Sequence, residues 1–172
     1  MLTWGGLESA IRRFTGLDEE KGAEVADLYP FGEFLTPGEA WVAFLGDLTF
    51  ICPGVSAAAA ASGGAPSFTY HFTRSPVLAR AVGAAHGIEM FYVFGTFGEL
   101  SIPTTRADDR VVETMQRAWG TFAHHGVPDL DVTWPPFDPA EPRFAILDDP
   151  AQVADTLRSG RCDALKAQGL VP

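Results

Sequence analysis

The stretch from Pro66 to Gly95, PSFTYHFTRSPVLARAVGAAHGIEMFYVFG, decides how the rest of the chain is read. Ser67-Phe68-Thr69-Tyr70-His71-Phe72 alternates with period two and is rich in aromatic residues, which is the pattern of a β-strand. The residues after it are punctuated by Pro76, Gly83 and Gly87 and read as a loop. Met90 to Phe94 is a short apolar run, helical or extended. His86 stands in the loop between Gly83 and Gly87. A histidine serving as a general base needs a pKa near neutrality and must reach over a nucleophile carried by another element. A glycine-flanked loop after a strand can present it in that way. For a histidine considered alone, an ordinary loop residue is the default reading.

Outward from this stretch the chain is dominated by helical patterns. Leu7, Ala10, Ile11 and Phe14 recur at helical spacing up to Gly16, and a second helix is expected over Asp18 to Leu28. Pro37-Gly38-Glu39 opens a third, because proline suits a first turn whose N–H is unused. It carries Trp41, Val42, Phe44, Leu45 and Leu48, an apolar surface that must be buried. It is expected to continue past Pro53 through the alanine run to Gly63-Gly64. Asp108 to His125 is the clearest helix, with Asp108 or Asp109 as cap, Val112, Met115, Trp119 and Phe122 on one face, and Gly126 as stop. Arg143 to Leu147 reads as a second strand and Pro150 to Gln168 as a final helix. Two strands make a marginal sheet. So much helix surface therefore expects a sheet that the chain does not contain, and the chain reads as a single segment, 1–172, of something larger.

Bulk properties narrow the function. Acidic residues outnumber basic ones by 22 to 12, for a formal charge of −10, which excludes the electrostatic footprint of a nucleic-acid binder. No Lys/Arg run marks a membrane patch. The small-apolar stretch Ala57 to Ala61 is too short to span a bilayer, so no membrane partner is expected. Met1 to Gly6 has neither a basic start nor an apolar core, and no secretory leader is expected there. His71, His124 and His125 have no Cys or carboxylate at ligand spacing, so no metal is expected, and no cofactor is implied.

Six runs, in order, resemble the type-B carboxylesterases, the cholinesterase-like branch of the α/β-hydrolases. Asp27-Leu28-Tyr29-Pro30 is similar to the family's L-Y-P turn. Asp47-Leu48-Thr49-Phe50-Ile51-Cys52-Pro53 is similar to its D-x-x-F-x-C-P helix, and Pro66 to Phe72 to its aromatic strand P-V-Y-x-Y-x-F. Gly83 to Glu89 with Phe91 to Gly95 resembles the run that bears the catalytic histidine. Trp119 to Pro128 and then Trp134-Pro135 with Ile146-Leu147-Asp148 complete the register. The resemblance implies the C-terminal portion of an α/β-hydrolase fold: α/β, mostly helical, with an incomplete central sheet of about two strands, Ser67–Phe72 and Arg143–Leu147. It implies that His86 is the general base of a serine carboxylic ester hydrolase. It implies that Glu89 is a carboxylate holding the histidine loop rather than the acid of the triad; a solvated glutamate at a helix start is the alternative.

The resemblance also shows what is missing. Hydrolases of this class need a serine on a G-x-S-x-G turn, an oxyanion loop and an orienting acid. No G-x-S-x-G occurs. Ser9 in Gly6-Leu7-Glu8-Ser9-Ala10-Ile11 mimics the letters only, since Leu7 and Ile11 replace the glycines that close backbone approach demands. Gly63-Gly64 reads as a turn rather than an oxyanion loop, and Glu19 and Glu20 as exposed helix charges. The chain alone is therefore expected to be inactive. A carboxylic ester is its substrate only in a complete enzyme, with a complementing N-terminal chain or self-association as possible partners. A non-catalytic, cholinesterase-like binding module is the alternative. In disulfide-bearing relatives the cysteine at the Cys52 position pairs with one near the C-terminus. The resemblance thus implies a Cys52–Cys162 bond, which would favour an extracytoplasmic location.

Overall fold

The computed structural model describes residues 2–77, 83–158 and 160–172. Residues 78–82 of the expected loop lie outside them. The chain forms two compact units, Met1–Ala57 with Arg158–Pro172, and Ala58–Leu157.

The first unit is helical, and its first three helices begin where side chains satisfy free backbone donors. Thr3 accepts from the Gly6 amide at 3.1 Å and starts α1, Trp4–Thr15, which Gly16 ends at φ +79°. Asp18 accepts from the Lys21 amide at 2.9 Å and starts α2, Glu19–Asp27. Thr36 caps α3, Pro37–Gly46, with Pro37 in the first turn as expected. The chain then passes through a π-helical turn, Asp47–Ile51, into α4, Cys52–Ala61. Pro53 has no N–H to return to the preceding turn and its ring crowds the carbonyl there. The widened π turn just ahead of it lets the helix run on without a break. Leu7, Ile11, Val25, Tyr29, Ala40, Phe44, Cys52, Leu165 and Val171 form the core of this unit.

As expected, the helix that Pro37 opens continues through the alanine run, over Pro37–Ala61. It has 25 residues and holds an 18-residue stretch of mean hydropathy 1.6, long and apolar enough to cross a membrane by length and composition alone. Core helices of soluble proteins pass the same test, and Asp47, ion-paired with Arg158, stands in the middle of this one. Its apolar face is also only partly covered: Phe44 is buried, but Val42 is 61% exposed and Phe50 50%.

A disulfide joins Cys52 to Cys162 of α7, Arg161–Ala167, with 5.2 Å between the Cα atoms, so the pairing implied by the resemblance is present. Beside it lies a buried charge cluster. Asp47 accepts from the Tyr29 hydroxyl at 3.1 Å and pairs with Arg158 at 3.4 Å and Arg161 at 3.8 Å. Arg161 also bonds Glu33 and the Leu28 carbonyl, and its guanidinium lies over the Tyr29 ring at 4.8 Å. Burial raises the Asp47 carboxyl pKa, while the two arginines and the Tyr29 hydroxyl oppose that rise. Removing any one partner would strand buried charge, so the cluster fixes how α7 meets the π turn.

The second unit contains the sheet. β1, Tyr70–Phe72, runs parallel to β2, Phe144–Leu147, with Tyr70 opposite Ala145 and Phe72 opposite Leu147. A third strand, β3, Gln152–Ala154, pairs antiparallel to β2, giving the order β1-β2-β3. Among the described residues the sheet therefore has three strands rather than about two, and Pro150 to Gln168 is not one helix. Val153 pairs with Ala145 in the ladder, and Gly160, at φ +86°, confines helix to the residues after it. β1 is shorter than Ser67–Phe72. The Ser67 carbonyl instead accepts from the Phe137 amide at 2.7 Å, and Phe68 packs against Trp134.

Two helices cover the side of the sheet that carries Phe72, Ala145 and Leu147: α5, Glu89–Phe94, and α6, Arg106–His125. Met90 to Phe94 is thus helical. Thr105, not Asp108 or Asp109, caps α6. Its hydroxyl accepts from the Asp108 amide while the Asp108 carboxylate accepts from the Thr105 amide, a reciprocal capping box. The buried stripe is Asp108, Val111, Met115 and Ala118, so the helix is rotated from the expected face. Val112 and Trp119 lie at its margin and Phe122 is 47% exposed. The rotation follows from a charge drawn inward at Asp108.

Candidate active-site histidine loop

The two parallel strands end at Phe72 and Leu147, and in open α/β sheets ligands gather at the carboxyl ends of such strands. The chain leaving β1 is tied there at once. The Thr73 amide donates to the Leu147 carbonyl at 3.2 Å and the Thr73 hydroxyl to Asp148 at 3.1 Å. Arg74 donates through Nε to Asp108 Oδ1 at 2.7 Å, through Nη2 to the Thr105 hydroxyl at 3.1 Å and through Nη1 to Asp148 at 3.4 Å. The Ser75 hydroxyl donates to the Gly83 carbonyl at 3.1 Å and closes the neck of the loop.

His86 is exposed on the turn beyond that neck. The Ile88 amide donates to the Ala85 carbonyl at 3.1 Å, and Gly87, the third residue, has φ +87°, as a type II turn requires. The turn runs directly into α5, where Glu89 is the first residue. The Tyr70 hydroxyl pKa is raised, first by burial and then by the Glu89 charge, so Glu89 acts on the β1 surface. Six residues past His86, the Tyr92 hydroxyl donates to Asp108 Oδ1 at 3.0 Å. Both flanks of the loop therefore converge on one buried carboxylate.

Burial by itself would raise the Asp108 pKa. The hydrogen bonds from Arg74, Thr105 and Tyr92 outweigh it and hold the carboxyl at about 2. The folded pKa is depressed, so Asp108 contributes stability that is complete above its unfolded pKa of about 4 and is lost as pH falls through about 2. The contribution is about 2 kcal/mol at neutral pH. Unfolding free energy measured from pH 5 to pH 2 should fall less steeply in Asp108→Asn than in the wild type, and parallel curves would contradict the assignment. Asp149, also drawn down by its bond from Arg110, titrates in the same direction in both proteins and cancels in the difference.

The other sequence candidates fall elsewhere. Ser9 is exposed in the middle of α1, between buried Leu7 and Ile11, and occupies no strand-to-helix turn. Gly63 and Gly64 form an exposed turn after α4. Glu19 and Glu20 lie exposed in the first turn of α2. Among the described residues no group of three His, Cys, Asp or Glu side chains could hold a metal ion. Arg74, Tyr92 and Asp108 were not singled out by sequence as partners. The Thr105-x-x-Asp108 spacing ahead of an apolar-periodic run could have located the cap, but not the arginine and tyrosine that meet it.

This arrangement, a helix-covered sheet whose parallel strand leads into a histidine loop, is part of an α/β-hydrolase fold. The chain belongs to the carboxylesterase family, whose model matches residues 32–165. It is 34% identical over 147 residues to a para-nitrobenzyl esterase of Bacillus subtilis (strain 168), a match covering 83% of this chain and 29% of the relative. It is 33% identical over 132 residues to an acetylcholinesterase of Gallus gallus, covering 72% of this chain and 17% of that one. A solved para-nitrobenzyl esterase structure superposes with a TM-score of 0.72 at 28% identity, covering 94% of this chain and 33% of that chain. The chain thus spans about a third or less of the length of these relatives.

Proposed function

We infer that this chain is the histidine-bearing, C-terminal segment of a serine carboxylic ester hydrolase, and that alone it hydrolyses no ester. The observation that carries this reading is the His86 turn, exposed beyond the carboxyl end of a parallel strand and braced on both flanks, in a chain of this family. In the assembled enzyme His86 takes the proton of the serine Oγ as that oxygen attacks the ester carbonyl. The imidazolium then gives the proton to the departing alkoxide, leaving an acyl-enzyme and an alcohol. His86 next takes a proton from water, whose hydroxide attacks the acyl-enzyme. Collapse of that intermediate releases the carboxylic acid and returns the proton to serine. The nucleophile, the oxyanion donors and the acid orienting His86 come from a complementing segment, while Glu89 holds the loop.

The alternative of a non-catalytic binding module draws on exposed apolar side chains of the first unit, Phe31 at 76% and Leu35 at 86%, which suit a protein contact. A fluorophosphonate probe separates the readings, because it labels only an activated serine. The isolated chain is expected to stay unlabelled, and the assembled enzyme to be labelled on the complementing segment. Absence of labelling in every assembly that contains a serine on G-x-S-x-G would favour the binding module. The Cys52–Cys162 bond supports an extracytoplasmic site of maturation, since cytosolic thiols are kept reduced.

A further inference from the structure

A general base works only if its ring is held to within about half an ångström of the productive position. The turn that bears His86 lies between two flanks of chain, and what holds those flanks helps to set where it sits. Arg74 stands just before the loop that carries His86 and Tyr92 follows it in α5, and these two side chains meet on the same oxygen, Asp108 Oδ1, at 2.7 and 3.0 Å. The second oxygen, Oδ2, accepts from the Thr105 amide at 2.8 Å and the Thr105 hydroxyl at 2.7 Å. The carboxylate is fully buried and fixed to the first turn of a 20-residue helix, a rigid base for the loop. Packing alone does not call for a charge here. A buried arginine–carboxylate pair costs desolvation that an apolar pair of similar size avoids. What the charge adds is direction: two donors from opposite flanks must meet one acceptor in fixed geometry.

We propose that Asp108 is the positioning residue of the histidine loop, holding both of its flanks through Arg74 and Tyr92 so that His86 is presented in one orientation. This rests on the reading of His86 as the general base. Asp108 touches no substrate and acts through the loop.

Hydrogen exchange of the 172-residue chain tests the loop itself. In Asp108→Asn the Ile88 amide should exchange about tenfold faster or more, as loss of a charge-assisted hydrogen bond implies. The Thr73 and Ala145 amides, bonded across the β1–β2 ladder, should keep their protection, which separates loosening of the loop from unfolding. Should Asp108→Asn fail to fold, Tyr92→Phe removes a single hydroxyl and should move the Ile88 amide in the same direction. Unchanged protection at Ile88 in a folded variant overturns the proposal. In an assembled enzyme built on this chain, kcat should fall by about ten- to a hundredfold in Asp108→Asn with KM nearly unchanged, and Asp108→Glu should recover part of the loss. Equal losses in kcat for Asn and Glu, or a change in KM alone, also overturn it. If His86→Ala leaves turnover intact while the Asp108 variants loosen the turn, the reading of His86 fails and the hold on the loop stands.

Discussion

Replacing Cys52 and Cys162 together by alanine should lower the unfolding free energy by about 4 to 5 kcal/mol, the chain-entropy value for a loop of about a hundred residues. The two cysteines are 110 positions apart, so their bond removes a large share of the freedom of the unfolded chain. Native domains are stable by about 5 to 15 kcal/mol, which makes this a large fraction of the whole. Alanine is the right replacement because Cys52 is 1% exposed, and a serine hydroxyl there would add its own burial cost. The loss would appear as a lower denaturation midpoint, with a steeper slope because the unfolded chain is more expanded without the cross-link. The oxidised wild type with added thiol should converge on the double variant. A loss below about 1 kcal/mol would mean that the Asp47–Arg158–Arg161 cluster holds α7 without the bond.

Purified alone, the chain should hydrolyse a short-chain nitrophenyl ester no faster than buffer does. Enzymes of this kind accelerate by many powers of ten, and a single lost catalytic group normally leaves a residual rate from the oxyanion hole and binding. Here nucleophile and oxyanion donors are both lacking on the proposed reading, so no residual rate is expected. Turnover that survives purification and disappears in His86→Ala would sink the proposal, because it would give His86 a nucleophile inside this chain. Turnover that disappears in Ser9→Ala instead would overturn the dismissal of that serine, although its exposed place in the middle of α1 leaves it no turn to work from.

The features legible in the sequence are those set by local chemistry. Helices α1 and α2 stop and start at Gly16 and Asp18 because left-handed backbone and a free amide each call for one residue type. The histidine turn is legible through its glycines, and Gly87 does adopt the positive φ that only glycine takes readily. The Cys52–Cys162 bond was legible only through family resemblance, since nothing local to Cys162 points to a partner 110 positions away. Features set by long-range charge were not legible. Asp108 has the pattern of an exposed helix cap, and only Arg74 and Tyr92, distant in sequence, draw it inside and rotate α6 away from the Val112–Phe122 face. Val153 sits in a stretch with helical spacing, yet pairing with Ala145 makes it a strand. Tertiary pairing overrides weak local preference in such short segments.

The central claim is that His86 serves as the base once a nucleophile is supplied. A chimera in which this chain replaces the matching segment of the Bacillus subtilis para-nitrobenzyl esterase supplies one, since 83% of this chain aligns there. The measurement is kcat on a nitrophenyl ester, with and without His86→Ala, on chimeras shown to be folded by their fluorescence and melting. The account predicts turnover in the first and a fall of at least about 10⁴-fold in the second. Equal turnover in the two chimeras would contradict it.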